Sequence, residues 1–330
     1  MKKNTMLIPS LLGVLASSES AKKGDTFLPN EQAVNSLFFS EGLTNYAVGY
    51  PEQADLEREL DFLAPPVPTA RRFEYKVADN ATAFLAETDD SDIRAVDAAY
   101  KTVTSRGQIV QAKTYDKGLT RRLDVEDIAA DPNAKFNAVA ELRERLLRAE
   151  IYRAATMLEK IATALAKTWT PATGSTDPDM DLLATLNLAS TKSGMYPNRV
   201  AFGTSAWIKR QLAIRAMQGA GGTQSVGLNE SQLADFLGID GAMRMRAMRT
   251  VSKTAKESLV SSDKVLVYMA KKATSKDDPS NIKRFVTNGA SGMWTVYEQN
   301  VNATTVDITV SHKSHIAITC DLGIYAITVA

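Results

Sequence analysis

The chain has 330 residues, 44% of them hydrophobic, which is enough to bury one large or two modest cores without disulfide or metal staples. Its 39 Lys and Arg balance 38 Asp and Glu, and the formal charge of +1 excludes the chain-wide positive field that draws a protein onto nucleic acid. Any contact with DNA is then local, weak and non-specific. The single cysteine, Cys320, rules out an intrachain disulfide and reads as a small buried hydrophobe in the apolar run 315–320.

At the N-terminus, Lys2, Lys3 and the apolar run 6–16 (MLIPSLLGVLA) imitate a secretory signal, but Pro9 and Gly13 interrupt a stretch too short to cross a bilayer. The run is read as part of an extended arm that packs its apolar residues on a neighbouring subunit, and no membrane span is expected anywhere. A short helix is predicted over 53–62. Pro65, Pro66 and Pro68 follow it and hold the backbone as an extended strut.

From Arg71 the pattern has period two. Phe73, Tyr75 and Val77 alternate with Arg72, Glu74 and Lys76, as in a half-exposed strand. After a polar stretch at 87–92 (ETDDSD), strands are predicted at 98–104 and 108–115 with Arg106 and Gly107 as the turn between them. Such a long hairpin buries too little apolar surface to be stable alone, so it needs a surface to lie on.

Asp131 and Pro132 read as the cap and first turn of a very long helix. Phe136, Val139, Leu142, Leu146, Ile151, Leu158, Ile161 and Leu165 recur at spacings of three, four or seven, and Glu and Arg residues fill the other face. A helix over about 133–167 would run roughly 50 Å at 1.5 Å per residue.

A polar loop is predicted at 170–181, a helix at 182–189, a strand at 198–203 and a helix at 204–217 capped by Thr204. The segment 218–227 (QGAGGTQSVG) reads as a flexible loop, and a helix over 229–237 stops at Gly238. Strand-like runs follow at 265–270, 283–287, 293–299, 304–310 and 315–329, the last broken near 321–323.

Candidate chemistry is sparse. His312 and His315 are three apart in strand-like surroundings, where i and i+3 point to opposite faces, and no further ligand pattern completes a metal set. The cluster Gly219, Gly221 and Gly222 lacks the lysine of a phosphate loop, and no Gly-x-Ser-x-Gly elbow occurs. No catalytic residue, metal or cofactor is assigned. The run 243–249 (MRMRAMR), like most clustered charge, reads first as a solvated face, with an adaptable contact surface as the alternative because Met and Arg are enriched at interfaces.

The order of parts, together with the passages 115–130 (YDKGLTRRLDVEDIAA), 196–212 (YPNRVAFGTSAWIKRQL) and 292–330, resembles the tailed-phage major capsid proteins of the Hong Kong 97 type. The resemblance implies an α+β fold with an N-arm at 1–64, an E-loop hairpin at 65–118 and a P-domain at 119–180 holding the spine helix. An A-domain at 181–282 and C-terminal strands at 283–330 shared between A- and P-domains complete it. It implies homo-oligomeric pentamers and hexamers built into a shell around phage DNA, with a scaffolding protein, a portal and a decoration protein as further partners, assembled in the host cytoplasm.

Scaffolding is expected to be either a separate protein or unnecessary, since no long cleavable N-terminal segment is read here. The expected intersubunit residues are Phe73, Tyr75 and Val77 on the hairpin, Gly219, Gly221 and Gly222 in the A-domain loop, and Arg244 and Arg246. Some members of the family crosslink their shells through an E-loop lysine. Lys76, Lys101 and Lys113 lie in the matching region, but nothing singles one out and no crosslink is predicted.

Overall fold

The computed structural model describes residues 38–49, 54–77, 93, 96, 99, 108–171, 176–217, 228–272, 275–289 and 293–330. The chain divides into two units, Met1–Phe39 and Ser40–Ala330, and every element named below belongs to the second. In chain order these are α1 Glu41–Gly49, α2 Ala54–Leu63, β1 Pro66–Pro68, β2 Arg72–Val77, β3 Gln108–Lys113, β4 Tyr115–Asp124, α3 Val125–Ala130 and α4 Ala134–Ile161. Then come β5 Thr163–Lys167, α5 Pro178–Ser193, β6 Arg199–Phe202, α6 Thr204–Met217, α7 Glu230–Leu237, β7 Gly241–Arg244, β8 Met248–Thr250 and β9 Lys256–Ser258. The chain ends with β10 Lys264–Tyr268, β11 Ile282–Thr287, β12 Trp294–Asn300, β13 Thr305–Ile318 and β14 Tyr325–Val329.

The first sheet is organised on β13, a strand of 14 residues. One of its edges is shared end to end by β12 and β11, and β4 runs antiparallel along the other. The proline strut forms β1, which pairs parallel with β11. The second sheet has the order β5-β14-β10-β6-β7 and is covered on both faces. Val200, Phe202, Val265 and Val267 enter a core with Trp169, Leu182, Leu186 and Trp207 from the α5 and α6 side. The intervening Ala201, Leu266 and Tyr268 enter the main core instead, with the long helix α4. This is the alternation that period-two strands require when buried on both sides.

Helix α4 has 28 residues, about 42 Å at 1.5 Å per residue. It buries Val139, Leu142, Leu146, Leu147, Ile151, Ala154 and Leu158. It is shorter than expected at its C-terminal end. Ala162 turns extended, the Thr163 N–H donates to the Ile324 carbonyl, and Leu165 lies on β5 paired with β14. Leu165 kept the helical period, but sheet pairing decided its conformation.

The start also differs. Asp131 closes α3 and accepts from the Asn133 N–H at 2.8 Å, so Asp131 and Pro132 mark a break between two helices and lie outside α4. Residues 41–49 are not extended arm but form α1, and the helix expected at 53–62 is α2; Leu43, Ala47, Leu60 and Leu63 lie in the main core. The i, i+4 spacing of Leu43 and Ala47 and the 4-then-3 spacing of Leu56, Leu60 and Leu63 account for this.

Helix α5 begins four residues earlier than expected, because Asp177 caps it by accepting from the Asp179 N–H at 2.9 Å and Pro178 fills the first turn. Helix α6 has the predicted bounds, but Thr204 is its first residue and its hydroxyl donates to the Met245 carbonyl, so it is no cap. Gly203, just before it, has to be glycine: a Cβ there would overlap the main-chain oxygens of Ser261 and Ser262. Helix α7 carries a full capping box between Asn229 and Gln232 and stops at Gly238, at φ 66°. The expected gap between 310 and 315 is absent, because Ser311, His312 and Ser314 are buried within β13.

Candidate assembly surfaces

The hairpin region is a ribbon of β2 and β3, in register from Arg72 opposite Lys113 to Val77 opposite Gln108. The strand expected at 98–104, apart from Ala99, and the turn at Arg106 and Gly107 lie outside the described residues, as does Lys101; the described partner of β3 is β2. One face of the ribbon lies on the first sheet. The Phe73 ring sits 4.4 Å from that of Phe285, and Tyr75 lies 5.1 Å from it, with Val67 and Ala317 completing a small separate core.

This corrects the expectation for Phe73 and Tyr75. Both are turned onto their own chain, Tyr75 is buried, and Val77 packs half-buried against the same cluster. A two-stranded ribbon gains stability by covering its apolar face, and the nearest cover is this chain's own sheet. Burial pushes the Tyr75 phenol above its ordinary pKa. Strand β4 follows directly and is paired only with β13 among the described strands, so one long edge of ten residues, most of them exposed, has no strand partner.

A groove of about 880 Å³ runs between α2, α4 and the segment carrying β7, β8 and β9. Arg58 reaches it from α2, Arg145 and Arg148 from α4, and Arg244, Arg246 and Arg249 from its far wall. In the run 243–249, Met243 and Met245 belong to the main core, Met243 also reaching the groove wall, while Arg244 and Arg246 face the groove. The groove's carboxylates are largely engaged. Glu59 accepts the N–H groups of Arg246 at 2.9 Å and Ala247 at 3.2 Å, and Glu144 pairs with Arg148. Glu230 stands 3.8 Å from Arg244 and 3.7 Å from Arg246, too far for a close ion pair with either. Burial raises the Glu59 pKa against the pull of those two N–H groups. Gly219, Gly221 and Gly222 lie outside the described residues.

A buried polar cluster joins the long helix to the sheet. Glu150 of α4 is fully enclosed; it accepts from Lys117 of β4 at 2.7 Å, from Ser314 of β13 at 2.9 Å and from Arg153. Burial alone would raise its pKa, but the opposing charge of Lys117 and the nearby His312 hold it well below the ordinary carboxylate range. His312 Nε2 stands 3.6 Å from the carboxylate, beyond hydrogen-bond distance, and both ring nitrogens lack a partner. Burial lowers its pKa against the opposing pull of the Glu150 carboxylate. Ser314 donates to Glu150 at 2.9 Å and also accepts from Lys117.

His315 faces the other way, 6.3 Å from Phe73 and 5.6 Å from Tyr115 between ring centres, as strand alternation requires. Cys320 is buried. Among the described residues no group of three or more His, Cys, Asp or Glu could hold a metal, and no helix is long and apolar enough to cross a membrane.

Sequence reasoning passed over Glu150 and the α2 and α4 walls of the groove. Glu150 had a signal, since it falls on the apolar stripe between Leu146 and Ala154. The groove had none, because Arg58, Arg145 and Arg246 meet only through tertiary packing.

No protein-family model matches the chain, and no curated protein matches it. Among solved structures, it is similar to a phage-related protein from Bordetella bronchiseptica RB50, with 15% identity, a TM-score of 0.64, and coverage of 88% of this chain and 97% of that one. A putative capsid protein of prophage from E. coli CFT073 is also found, at 8% identity and a TM-score of 0.49, covering 88% and 99%. At such identities the likeness speaks for fold. The chain shares its α+β fold with the Bordetella protein, and its ribbon, long helix, mixed α/β layer and returning strands follow one another in the order expected from the sequence.

Proposed function

We propose that this chain is the major capsid protein of a tailed phage, a structural subunit without catalysis of its own, that assembles as pentamers and hexamers into a shell around double-stranded DNA. The observation that carries the reading is the fold shared with a phage-related protein along 97% of that protein's length. Two features agree with it physically. The β4 edge and the ribbon offer main-chain and apolar surface that a second chain can complete, and the near-zero net charge leaves packaged DNA free of tight binding.

In this reading the shell forms in the host cytoplasm, with scaffolding protein, portal and decoration protein as further partners. Sedimentation of the purified protein tests it, with absorbance at 260 and 280 nm recorded across the fast fractions. Megadalton particles that carry nucleic acid when taken from infected or induced cells are expected. Particles filled with protein cargo would favour an encapsulin-like compartment, and a 35.8 kDa monomer under every assembly condition would refute the proposal.

A further inference from the structure

We propose that the arginine-lined groove receives the acidic α3 knob of a second copy of this chain, in a head-to-tail contact that repeats around a ring. The inference rests on the shell reading above and names the partner of the groove.

The groove carries an excess of positive charge. Arg58, Arg145, Arg246 and Lys256 line it on exposed positions. Of its acids, Glu59 is held by main-chain N–H groups, Glu144 pairs with Arg148 and Glu230 is shared loosely between Arg244 and Arg246. Arg145 pairs with Glu141 outside the groove, which leaves Arg58, Arg246 and Lys256 without a close acid among the described residues. The knob is its complement. Asp124, Glu126, Asp127 and Asp131 are all exposed, and no Lys or Arg lies between Leu123 and Pro132. Asp124 and Asp131 are used locally, accepting from the Glu126 and Asn133 N–H groups, while Glu126 and Asp127 present free carboxylates around the helical turn.

A chain cannot satisfy itself this way. Asp131 precedes α4 and Arg145 lies within it, so the two stand roughly 20 Å apart at 1.5 Å per residue. Two different surfaces in contact make a heterologous interface, which closes into a ring when the rotation between copies allows. The carboxylates of Asp55, Glu144 and Glu230 interleaved along the walls disfavour a continuous phosphate backbone and suit discrete carboxylates that fit between them.

Charge reversal tests this with the full chain. One variant carries Arg145→Glu and Arg246→Glu, the other Glu126→Lys and Asp127→Lys, and circular dichroism with thermal melting confirms that each folds like the parent. Each alone should raise the protein concentration needed for assembly at least tenfold. A single chain carrying all four substitutions should assemble near the parental threshold, because every knob then meets a groove of opposite charge in fivefold and sixfold rings alike. Raising the salt concentration should weaken parental assembly.

Assembly of both variants at the parental threshold would overturn the inference and leave the shell reading standing. Loss in the groove variant alone, with no effect at the knob, would overturn it too and point to nucleic acid or another segment as the occupant. Failure of the parent to assemble at all would remove both.

Discussion

Replacing Glu150 with leucine removes the carboxylate that joins the spine helix to β4 and β13 and leaves the Lys117 ammonium facing only the Ser314 hydroxyl at 3.0 Å. Breaking a buried pair by removing one partner costs about 3–5 kcal/mol. The Lys117 side chain keeps 18% of its surface in water and can turn outward, so the low end, about 3 kcal/mol, is expected. Adding Lys117→Met should return all but about 1 kcal/mol, since an apolar pair of similar volume satisfies the same site. The assay is guanidinium unfolding of the unassembled subunit, where the midpoint should fall in the single variant and recover in the double one with the slope unchanged. A single variant within 1 kcal/mol of the parent, or a double variant no better than the single, would refute the role assigned to Glu150.

The same cluster fixes the response to acid. The Glu150 pKa is held below its ordinary value of 4.5, so its contribution is present above pH 4.5 and is lost as pH falls below it; Glu150→Leu should flatten the stability profile there. The His312 pKa lies below 6.5, so the unfolded chain takes up a proton first and stability declines as pH falls through 6.5; His312→Phe should remove that decline and match or exceed parental stability at pH 7. Phe73→Asp or Tyr75→Asp should abolish closed shells, and because both rings pack on Phe285 the isolated subunit should also lose about 2–4 kcal/mol, read by thermal melting. Gly203→Ala should destabilise the subunit by about 2–4 kcal/mol, because the clash is with main-chain atoms that have nowhere to move.

Much of the fold was legible where local chemistry decides the structure. The period-two run at Phe73, Tyr75 and Val77, the apolar stripe from Val139 to Leu158, and the Asn229 to Gly238 frame of α7 each combine a periodic pattern with a chemically defined end. Reading failed where tertiary pairing overrode the local pattern. Leu165 kept the helical period and went into a sheet, and the polar run Ser311 to Ser314 looked like a gap although it is buried strand, Ser314 being satisfied by Glu150 and Lys117 far away in sequence. The ribbon was legible as a ribbon, but which surface it covers depends on Phe285, more than 200 residues away from Phe73 in the chain. Of the expected contact residues, Arg244 and Arg246 do line an open groove, while the walls opposite them come from α2 and α4 and have no sequence pattern that joins them.

Cryo-electron microscopy of assembled particles tests the central claim most directly. The account predicts closed shells of fivefold and sixfold rings, with α4 lying in the shell wall and the β2–β3 ribbon of each subunit seated on its own Phe285. Purified protein that forms no closed shell, or rings in which this fold is absent from the wall, would contradict it.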